Sequence, residues 1–159
     1  MKIRIISVGK LKERWFHEAQ AEYLKRLSRF ARIEIEEVRD EPAPKNASAG
    51  EIEVLMKKEG ERIRAAIDKN GGEIIILTPE GRKQDSYGFA EMVKRYGDMG
   101  RDMTFVIGGS YGISRDIKAL TGMQLSFSDL TFPHRLFRIM LLEQIYRAFK
   151  INANEEYHK

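Results

Sequence analysis

A chain of 159 residues without cysteine suits one domain that can build a core unstapled, and it excludes disulfides and thiolate metal sites. The opening MKIRIISVGK is too short and interrupted for a signal peptide, and no run approaches the roughly 20 apolar residues of a membrane span, so a cytoplasmic protein is expected. The net charge of +4 is uneven: residues 1–30 carry eight Lys/Arg against three Glu, residues 134–159 five against three, and the middle is net acidic, which fits either a polyanionic partner or ordinary solvated helix faces.

Along the chain, apolar runs alternate with helical periods. Ile3, Ile5, Ile6 and Val8 read as a first strand. Phe16, Ala19, Tyr23, Leu27 and Phe30 recur at helical spacing and mark one buried face. Arg32 to Val38 alternates charged and apolar residues, as a half-exposed strand does. Pro42 and Pro44 mark a loop, after which Ser48 and Glu51 form a capping box that opens a helix carrying Ile52, Leu55, Ile63 and Ile67. Asn70-Gly71-Gly72 closes it.

The second half repeats the pattern. Ile74 to Leu77 is a buried strand with Thr78-Pro79-Glu80-Gly81 as its exit loop. Ser86 is placed to cap a helix with Phe89, Ala90, Val93 and Tyr96. Thr104 to Ile107 is a strand ending in Gly108-Gly109, Ser114 can cap a short helix, and Leu125 to Phe127 is a short strand. The last helix, His134 to Lys150, shows only Arg138, Glu143, Gln144 and Arg147 as breaks in its apolar surface. It is buried on most sides, either as a central core helix or against a second subunit, and a subunit interface is the expectation for so small a chain. The whole reads as one α/β domain, residues 1–159, with a mostly parallel sheet.

In such a sheet ligands sit beyond the carboxyl ends of the strands, and three loops leave those ends: 78–83, 108–114 and 128–134. Gly108-Gly109-Ser110-Tyr111-Gly112 allows close backbone approach to a ligand, or is a plain tight turn. It is not the G-x-G-x-x-G of a dinucleotide fold. It also matches G-x-S-x-G, with Asp129 and His134 following in the order of a serine hydrolase. Against that, the helix start comes late, and Asp129 and His134 are too close together to come from separate loops.

V-I-G-G-S-x-G, L-S-F-S-x-L-T-F-P-H, L-x-E-Q-I-Y-R-A-F-K-I and the terminal Y-H-K, with the opening S-V-G-K-L-K and the segment Lys57 to Gly60, closely resemble the RlmH family. The resemblance covers the whole chain. It implies a small SPOUT enzyme that methylates N3 of a pseudouridine in large-subunit ribosomal RNA, acting on the ribosome. It further implies a C-terminal trefoil knot, a homodimer, and S-adenosylmethionine as methyl donor, with no metal, membrane or DNA partner. Carried onto this sequence, the donor site is Leu77, Gly108 and the run Phe127, Ser128, Asp129, Leu130, Thr131 and Phe132.

The donor's methyl group is already activated, so the chain has to align the base and handle the N3 proton. His158 titrates near neutrality and Tyr157 can stack on or bond the base. Arg138, Glu143 and Arg147 either face the substrate or pair internally, Glu143 with Arg147 at i, i+4. The tail 152–159 lacks an apolar repeat and is expected to add little to folding. A non-catalytic RNA-binding protein is the remaining alternative.

Overall fold

The computed structural model describes residues 1–69 and 71–157; Asn70, His158 and Lys159 lie outside the described residues. The elements alternate along the chain: β1 (Lys2–Val8), α1 (Arg14–Leu27), β2 (Arg32–Val38), α2 (Ala49–Asp68), β3 (Glu73–Lys83), α3 (Ser86–Asp98), β4 (Met103–Ile107), α4 (Arg115–Lys118), β5 (Gln124–Ser126) and α5 (His134–Asn152). The strands form one sheet in the order β2-β1-β4-β3-β5, with every neighbouring pair parallel.

The sheet is central because β1 and β4 are apolar on both faces. Ile3 and Ile5 pack with Phe105, Phe89, Leu141 and Ile145 on the side of α1, α3 and α5. Ile6 and Val8 point the other way, with Val106, Ile63, Ile67 and Ile117 on the side of α2 and α4. β2 keeps an edge position with Arg32, Glu34 and Glu36 in it, charges that discourage further strand pairing.

The capping box at Ser48 and Glu51 is present, each side chain meeting the other's backbone N–H. α3 is capped one residue earlier than expected: Asp85 is the N-cap and its Oδ1 accepts from the Gly88 N–H at 2.7 Å. Ser114 stands at the N-cap of α4 but makes no side-chain cap bond.

Two expectations change. Residues 78–81 are not an exit loop: they lie inside β3, which pairs with β5 on both sides of them. Leu77 and Arg82 both take Leu125 as partner. A Cβ on Gly81 would stand 2.5 Å from the Leu125 carbonyl carbon, so the bulge packs directly against the β5 backbone. Pro79 and Gly81 mark the departure from ladder geometry, not the end of the strand.

α5 packs against both α1 and α3 within its own subunit. Leu141, Leu142 and Ile145 are fully buried there. These three residues of the apolar helix are therefore covered by the core of their own chain. The residues that α5 leaves half-buried include Leu136, Phe137, Ile139, Met140, Glu143, Gln144 and Arg147. Among the described residues, no helix is long and apolar enough to cross a membrane.

Candidate functional site

β1 leads to β2 on one side of the sheet, while β3, β4 and β5 lie on the other. Winding reverses between β1 and β4, and ligands of open parallel sheets bind on the side of the strands' carboxyl ends. A cleft opens beyond β3, β4 and β5. Leu77, Thr78 and Pro79 form one wall, Ile107 to Ser110 with Gly112 and Ile113 a second, and Leu125 to Ser128 with Leu130 to Phe132 a third; His134 and Phe137 of α5 close it.

The second wall is a tight turn. The Gly112 N–H donates to the Gly109 carbonyl at 3.0 Å, and Gly112 takes φ +88°, which disfavours any residue with a Cβ. Gly108 is required for another reason than close ligand approach. A Cβ there would stand 2.6 Å from Ile113 Cγ1 and 2.7 Å from the Gly112 carbonyl, so the turn itself fills the space. At Gly112 nothing lies within 4 Å of the Cβ position, and this is the open side.

The third wall is held by its own polar atoms. The Ser126 hydroxyl donates to the Ser128 carbonyl at 2.9 Å, and Ser128 Oγ accepts from the Leu130 N–H at 3.0 Å. Leu130 is 71% exposed at the rim, and Phe127, Phe132 and Phe137 stack behind it. Beside the first wall, Glu80 takes a hydrogen bond from the Thr78 hydroxyl and an ion pair from Lys118, which hold its carboxyl down to about 2.

Leu77, Gly108, Phe127, Ser128, Leu130, Thr131 and Phe132 thus meet at one cleft. Asp129 does not line it: its side chain is 81% exposed and paired with Lys83. Thr78, Pro79, Gly109, Gly112, Ile113, His134 and Phe137 line the cleft and were not singled out as donor-site residues. The glycines carried a signal, but the α5 side chains reach the cleft only through tertiary packing.

The serine-hydrolase arrangement is not assembled. Ser110 sits in the turn rather than at a helix start, and Asp129 is taken by Lys83. His134 Nε2 is buried without a hydrogen-bond partner, and burial, helped by Arg135 and Arg138, lowers the pKa of this imidazole.

A second cavity adjoins the cleft through the shared wall Leu125 to Phe127 and reaches Met140, Glu143 and Gln144. Glu143 here gathers several donors. Arg147 reaches it through Nη2 at 2.6 Å and Nε at 3.1 Å, Gln144 Nε2 at 2.6 Å, and the Tyr157 hydroxyl at 3.2 Å. The internal Glu143–Arg147 pair is thus real, and it opens on a cavity. Tyr157 packs edge-on against Tyr146 at 4.9 Å and under the Arg147 guanidinium at 4.9 Å. Burial, then the Glu143 charge, push its phenol up to about 12. The tail up to Tyr157 is therefore part of the packed structure, contrary to the expectation that it adds little; His158 lies outside the described residues.

Arg138 is placed elsewhere. It is fully buried under α5, giving Nη1 to Glu37 at 2.6 Å and to Gln20 at 3.4 Å, and Nη2 to the Gly9 carbonyl at 2.8 Å and Ser7 Oγ at 3.1 Å. It ties α5 to the ends of β1 and β2. Among the described residues, no His, Cys, Asp and Glu group could hold a metal ion.

With this geometry in view, likeness to known proteins is specific. The family model described as "Predicted SPOUT methyltransferase" matches residues 1–158. Proteins named "Ribosomal RNA large subunit methyltransferase H" are similar over 100% of both chains: 49% identical in Carboxydothermus hydrogenoformans, 48% in Lactobacillus delbrueckii subsp. bulgaricus and 47% in Bacillus cytotoxicus. Among solved structures, a probable methylase family protein from Haemophilus influenzae aligns with a TM-score of 0.56 at 12% identity, over 99% of this chain and 70% of that one. A putative methylase family protein from Neisseria gonorrhoeae aligns with 0.51 at 11%, over 91% and 80%. At such identities the structures speak for the fold alone.

Proposed function

Because the chain belongs to the SPOUT methyltransferase family, we propose that it transfers a methyl group from S-adenosylmethionine to N3 of a pseudouridine in large-subunit ribosomal RNA. Full-length relatives at 47–49% identity are named as methyltransferases of large-subunit ribosomal RNA. The observation that carries the reading is the cleft itself, two glycine-bearing or serine-bearing loops closing on an apolar slot beyond the carboxyl ends of β3, β4 and β5. Its residues fit the donor: Leu77, Ile107, Phe127 and Phe132 offer apolar surface for an adenine, and the backbone of 108–112 and 126–131 offers polar groups for its edge.

S-adenosylmethionine supplies a methyl group already activated on its sulfonium. The chain's own work is then to align the base and take the N3 proton. Alignment alone is worth several kcal/mol. The Glu143–Arg147–Tyr157 network borders the cavity beside the donor cleft and suits the base-binding side. Tyr157 stays protonated and offers a ring and a hydroxyl, so His158 is the group proposed to accept the proton. Arg138 acts from within, fixing the helix that carries Glu143 and Arg147.

The substrate is proposed to be recognised on the assembled ribosome, in the cytoplasm. Lys10, Lys12 and the 54%-exposed Trp15 stand at the same sheet edge, on a segment that Glu13 pins to Arg135 of α5 at 3.4 Å. They supply cations for phosphate and a ring for stacking. A homodimer is part of the proposal, now through Leu136, Met140 and the exposed Leu130 rather than through Leu141 and Ile145. The trefoil knot is proposed with it, on the strength of the family.

The test is calorimetric titration with S-adenosylmethionine, followed by transfer of a labelled methyl group to ribosomes lacking the modification. Donor binding with label in large-subunit RNA is the expected result. Binding of RNA without donor binding would leave the non-catalytic alternative, and fluorophosphonate labelling of Ser110 would revive the hydrolase.

A further inference from the structure

We propose that Glu59 is a positioning residue for methyl transfer, bracing from behind the glycine turn that walls the donor cleft. This rests on reading that cleft as the donor site.

Glu59 lies on α2, on the opposite side of the turn from the cleft, and is 4% exposed. Its Oε1 accepts the Glu41 N–H at 2.9 Å, which secures the segment leaving β2. Its Oε2 is buried and has no hydrogen-bond partner. That oxygen stands 2.8 Å from the position of a Cβ on Gly109, with Val8 Cγ1 at 3.1 Å beside it. The carboxyl therefore sits flush on the Gly109 backbone. Its neighbour Gly60 does the same at the far end of the wall, where a Cβ would stand 2.5 Å from Ser114 Oγ. Two successive α2 residues thus press on both ends of the segment 109–114, whose inner surface faces the cleft.

A buried carboxyl with an orphaned oxygen is a costly way to fill space, and a leucine would fill it more cheaply. What the carboxyl adds is an acceptor for Glu41 and a polar, planar surface against Gly109. The Glu41 N–H bond and the Arg62 charge favour its charged form, and the rest of its surroundings outweigh them. Burial raises its pKa, Asp40 and Glu41 beyond β2 add negative charge, and Arg62 on α2 is engaged by Glu41 at 2.6 Å. β1 and the turn after β4 present Val8 and Gly109 to it, neither of them charged. His134, beyond Gly9, has its pKa lowered and brings little positive charge.

The test measures the donor Kd, and the KM for donor and for ribosome separately, in the parent, Glu59→Gln and Glu59→Leu, from mildly acidic to mildly alkaline pH. Glu59→Gln keeps shape and acceptor. It is expected to match the parent at acid pH and to hold its donor affinity as pH rises, while the parent's affinity falls. Glu59→Leu is expected to weaken donor binding about tenfold, equivalent to 1.4 kcal/mol, with the ribosome KM unchanged. A folded Glu59→Leu with the parent's Kd overturns the brace. If Glu59→Leu does not fold, identical pH profiles for parent and Glu59→Gln overturn it. A parent that binds no donor instead refutes the reading of the cleft.

Discussion

Replacing Arg138 by Met separates a structural guanidinium from a catalytic one. Arg138 is fully buried and serves four partners on three elements, Ser7, Gly9, Gln20 and Glu37. Methionine fills much of the volume but leaves the Gly9 carbonyl and Ser7 hydroxyl unpaired and Glu37 without its cation. Breaking a buried ion pair costs roughly 3–5 kcal/mol. The Glu37 side chain is 29% exposed and can turn to water, which reduces the expected loss to about 2–4 kcal/mol. For a chain of this size each kcal/mol moves Tm by about 2–4 °C, so a fall of about 4–16 °C is expected. Arg138→Lys keeps the charge but not the fork, and should fall between. The assay is thermal and urea unfolding, with methylation measured per folded molecule. A Met variant that melts within a degree or so of the parent yet loses activity would refute the argument and place Arg138 at the substrate.

Other consequences follow from the same geometry. Tyr157→Phe keeps the ring on Tyr146 and removes the bond to Glu143, costing about 1 kcal/mol in unfolding experiments. With its phenol at about 12, Tyr157 should put no ionisation limb on the rate profile near neutrality, and one would contradict its placement. Gly108→Ala should lower both Tm and donor affinity, since its Cβ meets the turn's own backbone; loss of affinity alone would mean direct contact with the ligand. Ser110→Ala should leave methyl transfer within about tenfold of the parent, because aligning the activated donor needs no nucleophilic hydroxyl. Glu59, whose folded pKa is raised, binds its proton more tightly folded than unfolded. Stability should therefore fall as pH rises from 4.5 through the raised value, and Glu59→Gln should remove that slope in denaturation midpoints.

Strands and helices were legible because their signals are local. The alternation in Arg32 to Val38, the β-prone run at Thr104 to Ile107 and the Ser48/Glu51 box each name their element unaided. Two of the loops that wall the cleft were legible for the same reason, as glycines and serines following buried strands. β3 was cut short because Pro79 and Gly81 are turn residues by any local measure, and only pairing with Leu125 on both sides shows them within a strand. That α1 and α3 cover Leu141, Leu142 and Ile145 of α5 was not legible, because nothing local says which elements pack on a helix. Arg138 likewise looked like a surface break, since its partners stand more than 100 residues away in sequence. Glu59 against Gly109 is the same case: a charged residue at a helix position reads as solvated until the turn beneath it is in place.

The central claim is that the cleft walled by Leu77, Gly108 to Gly112 and Phe127 to Phe132 holds the methyl donor. The direct measurement is amide chemical-shift perturbation in the isotopically labelled protein on adding S-adenosylmethionine. The account predicts shifts concentrated at 77–79, 108–113 and 126–132, saturating with a single Kd. Saturable shifts elsewhere, with those three segments unmoved, would contradict it.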